Sequence, residues 1–160
     1  MKVPALLLAL CAAVALASIA AAATHHSSRV VTTAKNSTLG ETTLATTNGR
    51  TLYSLSAERN GRFICTNKAC LAFWKPLRIA ANITPAGAPH LGTIKRPDGG
   101  LQVTYKGGPL YAFAADNKRG DAKGEGFKDV GVWHAAAVGS AAKQPAASSS
   151  GPGGGYGYTP

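Results

Sequence analysis

Four carboxylates lie in one glycine-rich stretch: Asp116, Asp121, Glu125 and Asp129. Loops of this kind hold calcium when their oxygens converge on one point. Here Lys118 occupies a ligand slot of the EF-hand pattern, and the glycine is misplaced. Lys118, Arg119, Lys123 and Lys128 also offset the acids, so a solvated loop with local salt bridges is expected, with no metal. Asp116 has a counterpart, Glu58, at the matching place of an earlier stretch. Paired carboxylates can do acid–base chemistry when their environments separate their pKa values. A catalytic acid, however, needs no twin. The repetition favours a structural role, in which an acid just past a strand accepts backbone N–H groups and shapes the following turn. His134 is a lone strand histidine, more often a surface or satisfied polar residue than a ligand. No serine sits in a nucleophile-elbow pattern. The expectation is a protein with no catalytic residue and no cofactor.

Cysteine usage follows from the cellular address. Lys2 precedes an uncharged, Ala- and Leu-rich run over 3–23, and Ala21-Ala22-Ala23 offers small residues for cleavage before Thr24. Residues 1–23 are therefore read as a signal peptide. The alternative is an uncleaved membrane anchor, because the run is long enough to span. Leu8-Ala9-Leu10-Cys11 resembles a lipidation box, but Leu10 stands where a small residue is wanted. After export, Cys65 and Cys70 remain in an oxidising compartment, where a structural disulfide is expected. So short a loop contributes about 2 kcal/mol, enough to pin a turn and too little to hold a domain. The pair lacks the Cys-x-x-Cys spacing of a redox motif. Flanking histidines or further thiols for zinc are missing as well.

The elements that must position these groups show an internal repeat. Leu52-Tyr53 is followed by Trp74, and Leu110-Tyr111 by Trp133. The Tyr-to-Trp intervals are 74 − 53 = 21 and 133 − 111 = 22 residues. Two such copies, about 49–77 and 107–137, predict one small domain built from like halves that cannot bury their aromatics alone. Tyr53, Trp74, Tyr105, Tyr111, Phe113 and Trp133 could line a groove for sugars or lipids, but their repeat spacing favours a packed core.

Period-2 patterns dominate within 39–138. Residues 42–47 and 50–56 flank Asn48-Gly49 and predict a hairpin closed by a tight primed turn. A second hairpin joins 92–95 to 101–106 through Arg96-Pro97-Asp98-Gly99-Gly100. There Leu101, Val103 and Tyr105 alternate with Gln102, Thr104 and Lys106, predicting one buried face. A last strand is expected over 130–138, and a single helical turn over Lys68–Phe73. The fold expected is all-β, two hairpin-based halves packed on one core. Residues 24–38 are polar and read as a flexible leader, although Arg29-Val30-Val31-Thr32-Thr33 could pair as an edge strand. Residues 139–160 collapse to Ala, Ser, Gly, Pro and Tyr and read as a disordered tail.

The second copy carries a Tyr-x-aromatic-x-x-Asp signature through Tyr111, Phe113 and Asp116. Around it run Leu101-Gln102-Val103-Thr104-Tyr105 and Pro109-Leu110-Tyr111; the first copy adds Gly49-Arg50-Thr51-Leu52-Tyr53 and Ala72-Phe73-Trp74-Lys75-Pro76-Leu77. These strings resemble the bacterial secreted-repeat family, predicted lipoproteins of largely unknown function. The resemblance implies an exported, β-rich envelope protein with two repeats. In the first copy Leu55 and Glu58 stand where the signature has an aromatic and Asp.

Charge narrows the partners. The chain has 17 Lys+Arg against 7 Asp+Glu, a formal net charge of +10. An exported basic protein meets anionic wall polymers and lipid head groups. The charges lack the clustering with stacking aromatics of a nucleic-acid groove, so no nucleic acid is expected. The function expected is a non-enzymatic structural or binding module of the cell envelope or extracellular space. The alternatives are a redox accessory using Cys65 and Cys70, which needs an exposed bridge, and a small-ligand binder between the halves.

Overall fold

A computed structural model describes residues 25–59 and 61–139. The expected signal peptide over 1–23 and the low-complexity tail beyond Gly139 lie outside the described residues. The fold is all-β, as the sequence pattern predicts, with one short helix. The strands are β1 (His26–Arg29), β2 (Val31–Asn36), β3 (Glu41–Thr46), β4 (Leu52–Leu55), β5 (Trp74–Pro76), β6 (Arg78–Ile79) and β7 (Ile83–Ala86). They continue with β8 (Leu91–Lys95), β9 (Leu101–Tyr105), β10 (Gly108–Pro109), β11 (Tyr111–Phe113) and β12 (Trp133–Ala135). Helix α1 spans Lys68–Phe73 as expected; the Asn67 side chain caps it by accepting from the Cys70 N–H at 2.9 Å.

The central sheet runs β12-β4-β11-β5, all antiparallel. Strands β4 and β5 belong to the first repeat copy, β11 and β12 to the second. In this sheet neither copy pairs its own two strands. Strand β4 is hydrogen-bonded to β12 and β11, and β11 to β4 and β5. The two halves are thus interleaved within one sheet. Alternation identifies which face a residue occupies, but not which strand lies next to it.

Period 2 then divides the interior in two. Tyr53, Leu55, Tyr111, Phe113, Trp133 and Ala135 point to one face, where they pack with Trp74, Cys65 and Cys70. Leu52, Ala112 and Ala136 point to the other, against Val31, Leu44, Val103, Tyr105 and Leu110. Two clusters back to back replace the single core expected.

Three local expectations change as well. The segment read as a flexible leader forms β1, parallel to β7, and β2, antiparallel to β3 over six residue pairs. Val31, with no exposed surface, anchors β2; a polar strand needs only its ladder and one such anchor, so composition understates it. The 48–49 turn forms, but Asn48 is not in the left-handed region, whereas Gly49 has φ 88°. The Gly49 N–H reaches the Thr46 carbonyl and the Thr46 N–H the Arg50 carbonyl, a type I turn with a glycine bulge. Only the Ala45–Thr51 bridge follows before β4 leaves for the central sheet. The hairpin of β8 and β9 forms in the expected register, yet Gln102 and Thr104 are as buried as Val103 and Tyr105. Gln102 meets this burial by donating to the Leu110 carbonyl at 2.7 Å and accepting from Arg96.

Candidate functional site

The two copies meet at Tyr53 and Tyr111, which face each other across β4 and β11. A local twofold axis passes between them. It relates the Leu55–Trp133 pair to the Phe113–Trp74 pair. Trp74 and Trp133 stack at 3.7 Å with planes 9° apart. Tyr53 sets its edge on Trp74 at 5.4 Å, and Tyr111 its edge on Trp133 at 5.1 Å. All four rings are fully buried. The aromatic groove weighed from sequence is therefore a packed centre, with no gap between the tryptophans for a ligand. Such pairs each add about 0.5–1.5 kcal/mol beyond the area they bury.

The acids cross over. The Tyr53 hydroxyl donates to Asp116 Oδ2 at 2.6 Å, and the Tyr111 hydroxyl to Glu58 Oε2 at 2.7 Å. Each copy's carboxylate thus binds the other copy's tyrosine. The remaining oxygens accept backbone N–H groups: Glu58 Oε1 from Ile64 and Cys65, both at 2.7 Å, and Asp116 Oδ1 from Lys123 at 3.0 Å. All four carboxylate oxygens are engaged inside the fold. Burial, and then the carboxylate beside it, pushes the Tyr53 hydroxyl far above its ordinary value. Tyr111 is raised for the same two reasons, partly offset by Arg96. Phenols this hard to ionise serve as hydrogen-bond donors, not as acids near neutrality.

In the sequence Arg96 reads as one scattered positive residue among many, set in the 96–100 turn. Here it is 3% exposed. Its guanidinium donates to Gln102, to the Tyr111 hydroxyl at 3.2 Å and to the Cys65 carbonyl at 2.9 Å. It also lies over the Phe63 ring at 4.9 Å. No periodic signal marks this residue, because a turn cation at one end of a hairpin reads as solvated.

The other acids of the 116–129 stretch separate. Asp121 caps the Asn117 and Lys118 N–H groups and meets Lys123 at 3.3 Å. Glu125 takes the Ala135 N–H at 2.6 Å and His134 Nδ1 at 2.9 Å. Asp129 accepts from the Trp133 indole N–H at 2.8 Å. Each carboxylate has its own partners, so they do not form a shared oxygen cage. His134 sits on the exposed face of β12. Cys65 and Cys70 form the disulfide that the sequence predicts, and they are 0% and 7% exposed. A bridge so covered is not presented for exchange with a partner thiol. The tryptophans also differ: Trp133 gives its N–H to Asp129, whereas the buried Trp74 N–H has no partner among the described residues.

The family match falls on the second of the two copies. Residues 92–137 match a family described as a secreted repeat of unknown function. That span holds Tyr111, Phe113, Asp116 and Trp133, so the family whose motifs the second copy carries is the one it matches. No curated protein matches the chain, and no solved structure does.

Proposed function

We propose that this is an exported, non-enzymatic module that binds anionic surfaces of the cell envelope. The secreted character of the matched family supports the export. The observation that carries the binding is a division of charge between interior and exterior. Glu58 and Asp116 are consumed by tyrosines and backbone N–H groups. Asp98 is taken by Arg78 at 2.5 Å, which holds its carboxyl well below the usual range. Asp121 is likewise lowered, by the Lys118 and Asn117 N–H groups. Arg59, Arg62, Lys68, Lys95, Lys118 and Lys128 meanwhile stand exposed. With +10 on the whole chain, the outward field is positive and diffuse, suited to a polyanion rather than to one small anion.

Co-sedimentation with an anionic wall polymer tests the reading. Binding should be strong at low ionic strength and fall steeply as salt shortens the Debye length from about 30 Å to about 8 Å. Absence of binding at low salt rejects the proposal.

A further inference from the structure

The described chain opens on two adjacent histidines, His25 and His26. The cleavage expected after Ala23 makes Thr24-His25-His26 the first three residues of the exported chain. A histidine in third place from a free amino terminus brings four nitrogens within reach of one metal ion. They are the α-amine, the amide nitrogens of the second and third residues, and the Nδ1 of the third. The backbone itself closes the chelate rings, so moving the histidine by one place breaks the set. Neither amide belongs to a proline, which would have no hydrogen to give up. A planar set of nitrogens suits Cu(II) above all, and Ni(II) next.

The structure leaves this end of the chain open to a metal. His25 and His26 are both exposed. His26 begins β1 opposite Ile83 of β7, and its N–H donates to the Asn82 carbonyl at 2.8 Å. The His25 side chain lines a hollow with Ile83, Thr84 and Leu91. Three of the four nitrogens thus belong to described residues; Thr24, which gives the fourth, lies outside them. The His26 amide nitrogen cannot hold a metal and donate to Asn82 at once. Loading opens that one hydrogen bond. Strand β1 keeps its register at Ser27, Ser28 and Arg29, and the Val30 N–H keeps the Ala86 carbonyl at 3.1 Å. Competing ligands are few. Cys65 and Cys70 are joined to each other, and among the described residues no three side chains of His, Cys, Asp or Glu come together as a cage.

We infer that the exported chain binds a cupric ion at its amino terminus, through Thr24, His25 and His26. Binding is coordination without electron transfer. The ion displaces a proton from the α-ammonium group and one from each of the two amides, and the neutral imidazole of His26 supplies the last nitrogen. The two amide anions balance the charge of the ion. The inference rests on the export in the reading above, and not on its surface binding.

The test takes the full chain, exported by its own N-terminal signal and purified from outside the cytoplasm. Its mass should show Thr24 as the first residue. Cu(II) is then titrated in, with excess glycine present to hold back loose binding. The expected result is one tightly held ion per chain, with the visible absorption band of a square of four nitrogens. His26→Ala should lose that band and His25→Ala should keep it. Wild type carrying one added glycine ahead of Thr24 should lose it with both imidazoles in place. His25 and His26 belong to neither core cluster, so both variants should melt as the wild type does. Ni(II), diamagnetic in such a square, should remove the His25 and His26 amide proton signals and leave that of Val30. A chain that stays uncleaved in the cell overturns the export and the site together. An exported chain overturns the site alone if it begins elsewhere, if it binds copper no better than His26→Ala, or if the His25 imidazole is the one it needs.

Discussion

Replacing Tyr53 by Phe removes one hydroxyl from a fully buried position and leaves Asp116 Oδ2 without its donor. A hydrogen bond to a charged group contributes about 1.5–3 kcal/mol, and a buried oxygen left unsatisfied pushes the loss toward the upper end. Tyr53→Phe should therefore cost about 2–3 kcal/mol. The described part spans 139 − 25 + 1 = 115 positions, and for a domain of that size this lowers Tm by roughly 6–15 °C. Asp116→Ala should cost at least as much, since the Lys123 N–H also loses its acceptor. The informative quantity is the coupling between the two. Urea unfolding of Tyr53→Phe, Asp116→Ala and the double variant, with the disulfide oxidised, should give a coupling energy of about 1–2 kcal/mol. The control pair is Tyr53→Phe with Glu58→Ala. Those residues belong to the same copy and share no hydrogen bond, so their effects should add to within about 0.5 kcal/mol. If Tyr53 couples to Glu58 and not to Asp116, the cross-over between copies is wrong and each copy closes on itself.

The raised tyrosines make stability depend on alkaline pH. A folded-state pKa above the unfolded value means the unfolded chain releases its protons first. The stabilisation is complete below about pH 10 and falls above it, by about 1.4 kcal/mol per pH unit for each tyrosine. Absorbance titration should show Tyr53 and Tyr111, of five tyrosines in the chain, ionising only together with unfolding; free ionisation near pH 10 in the folded state contradicts this. At Gly124 a Cβ would stand 2.7 Å from the Trp74 ring and 3.0 Å from the Tyr53 ring. Gly124→Ala should cost about 1–3 kcal/mol by overpacking, read by thermal melting, and a neutral result would show that the loop yields. The Cys65→Ser, Cys70→Ser double variant should stay folded and lose about 2 kcal/mol. Native protein should resist mild reductant because the bridge is covered, and rapid thiol titration would argue otherwise.

Short-range features were legible in the sequence because local chemistry settles them. The turn at Arg96-Pro97-Asp98-Gly99 and the flanking alternation give β8 and β9 in register. Lys68–Phe73 is helical, with Asn67 to cap it. The matched positions of Tyr53 and Tyr111, and of Trp74 and Trp133, foretell that these rings share an interior. What alternation cannot supply is the identity of a neighbouring strand. Strand β4 could satisfy its ladder with β3, β5, β11 or β12, and only packing of the whole decides for the last two. The cross-over of Glu58 and Asp116 follows from that choice. So does the burial of Arg96 and Gln102: both occupy positions that read as outward until the 63–65 segment meets Arg96 and Leu110 meets Gln102. Of the polar strands β1 and β2 only the edge pairing over 29–33 was legible, because their stability lies in backbone pairing, to which composition is nearly blind.

The account depends on the interleaving of two like halves around the stacked tryptophans. Nuclear Overhauser contacts across the central sheet test it directly. The account predicts cross-strand contacts from Tyr53 to both Tyr111 and Ala135, and from Trp74 to Phe113, with the two indole rings face to face. Contacts from β4 to β5, and from β11 to β12, would place each half on its own strands and contradict it.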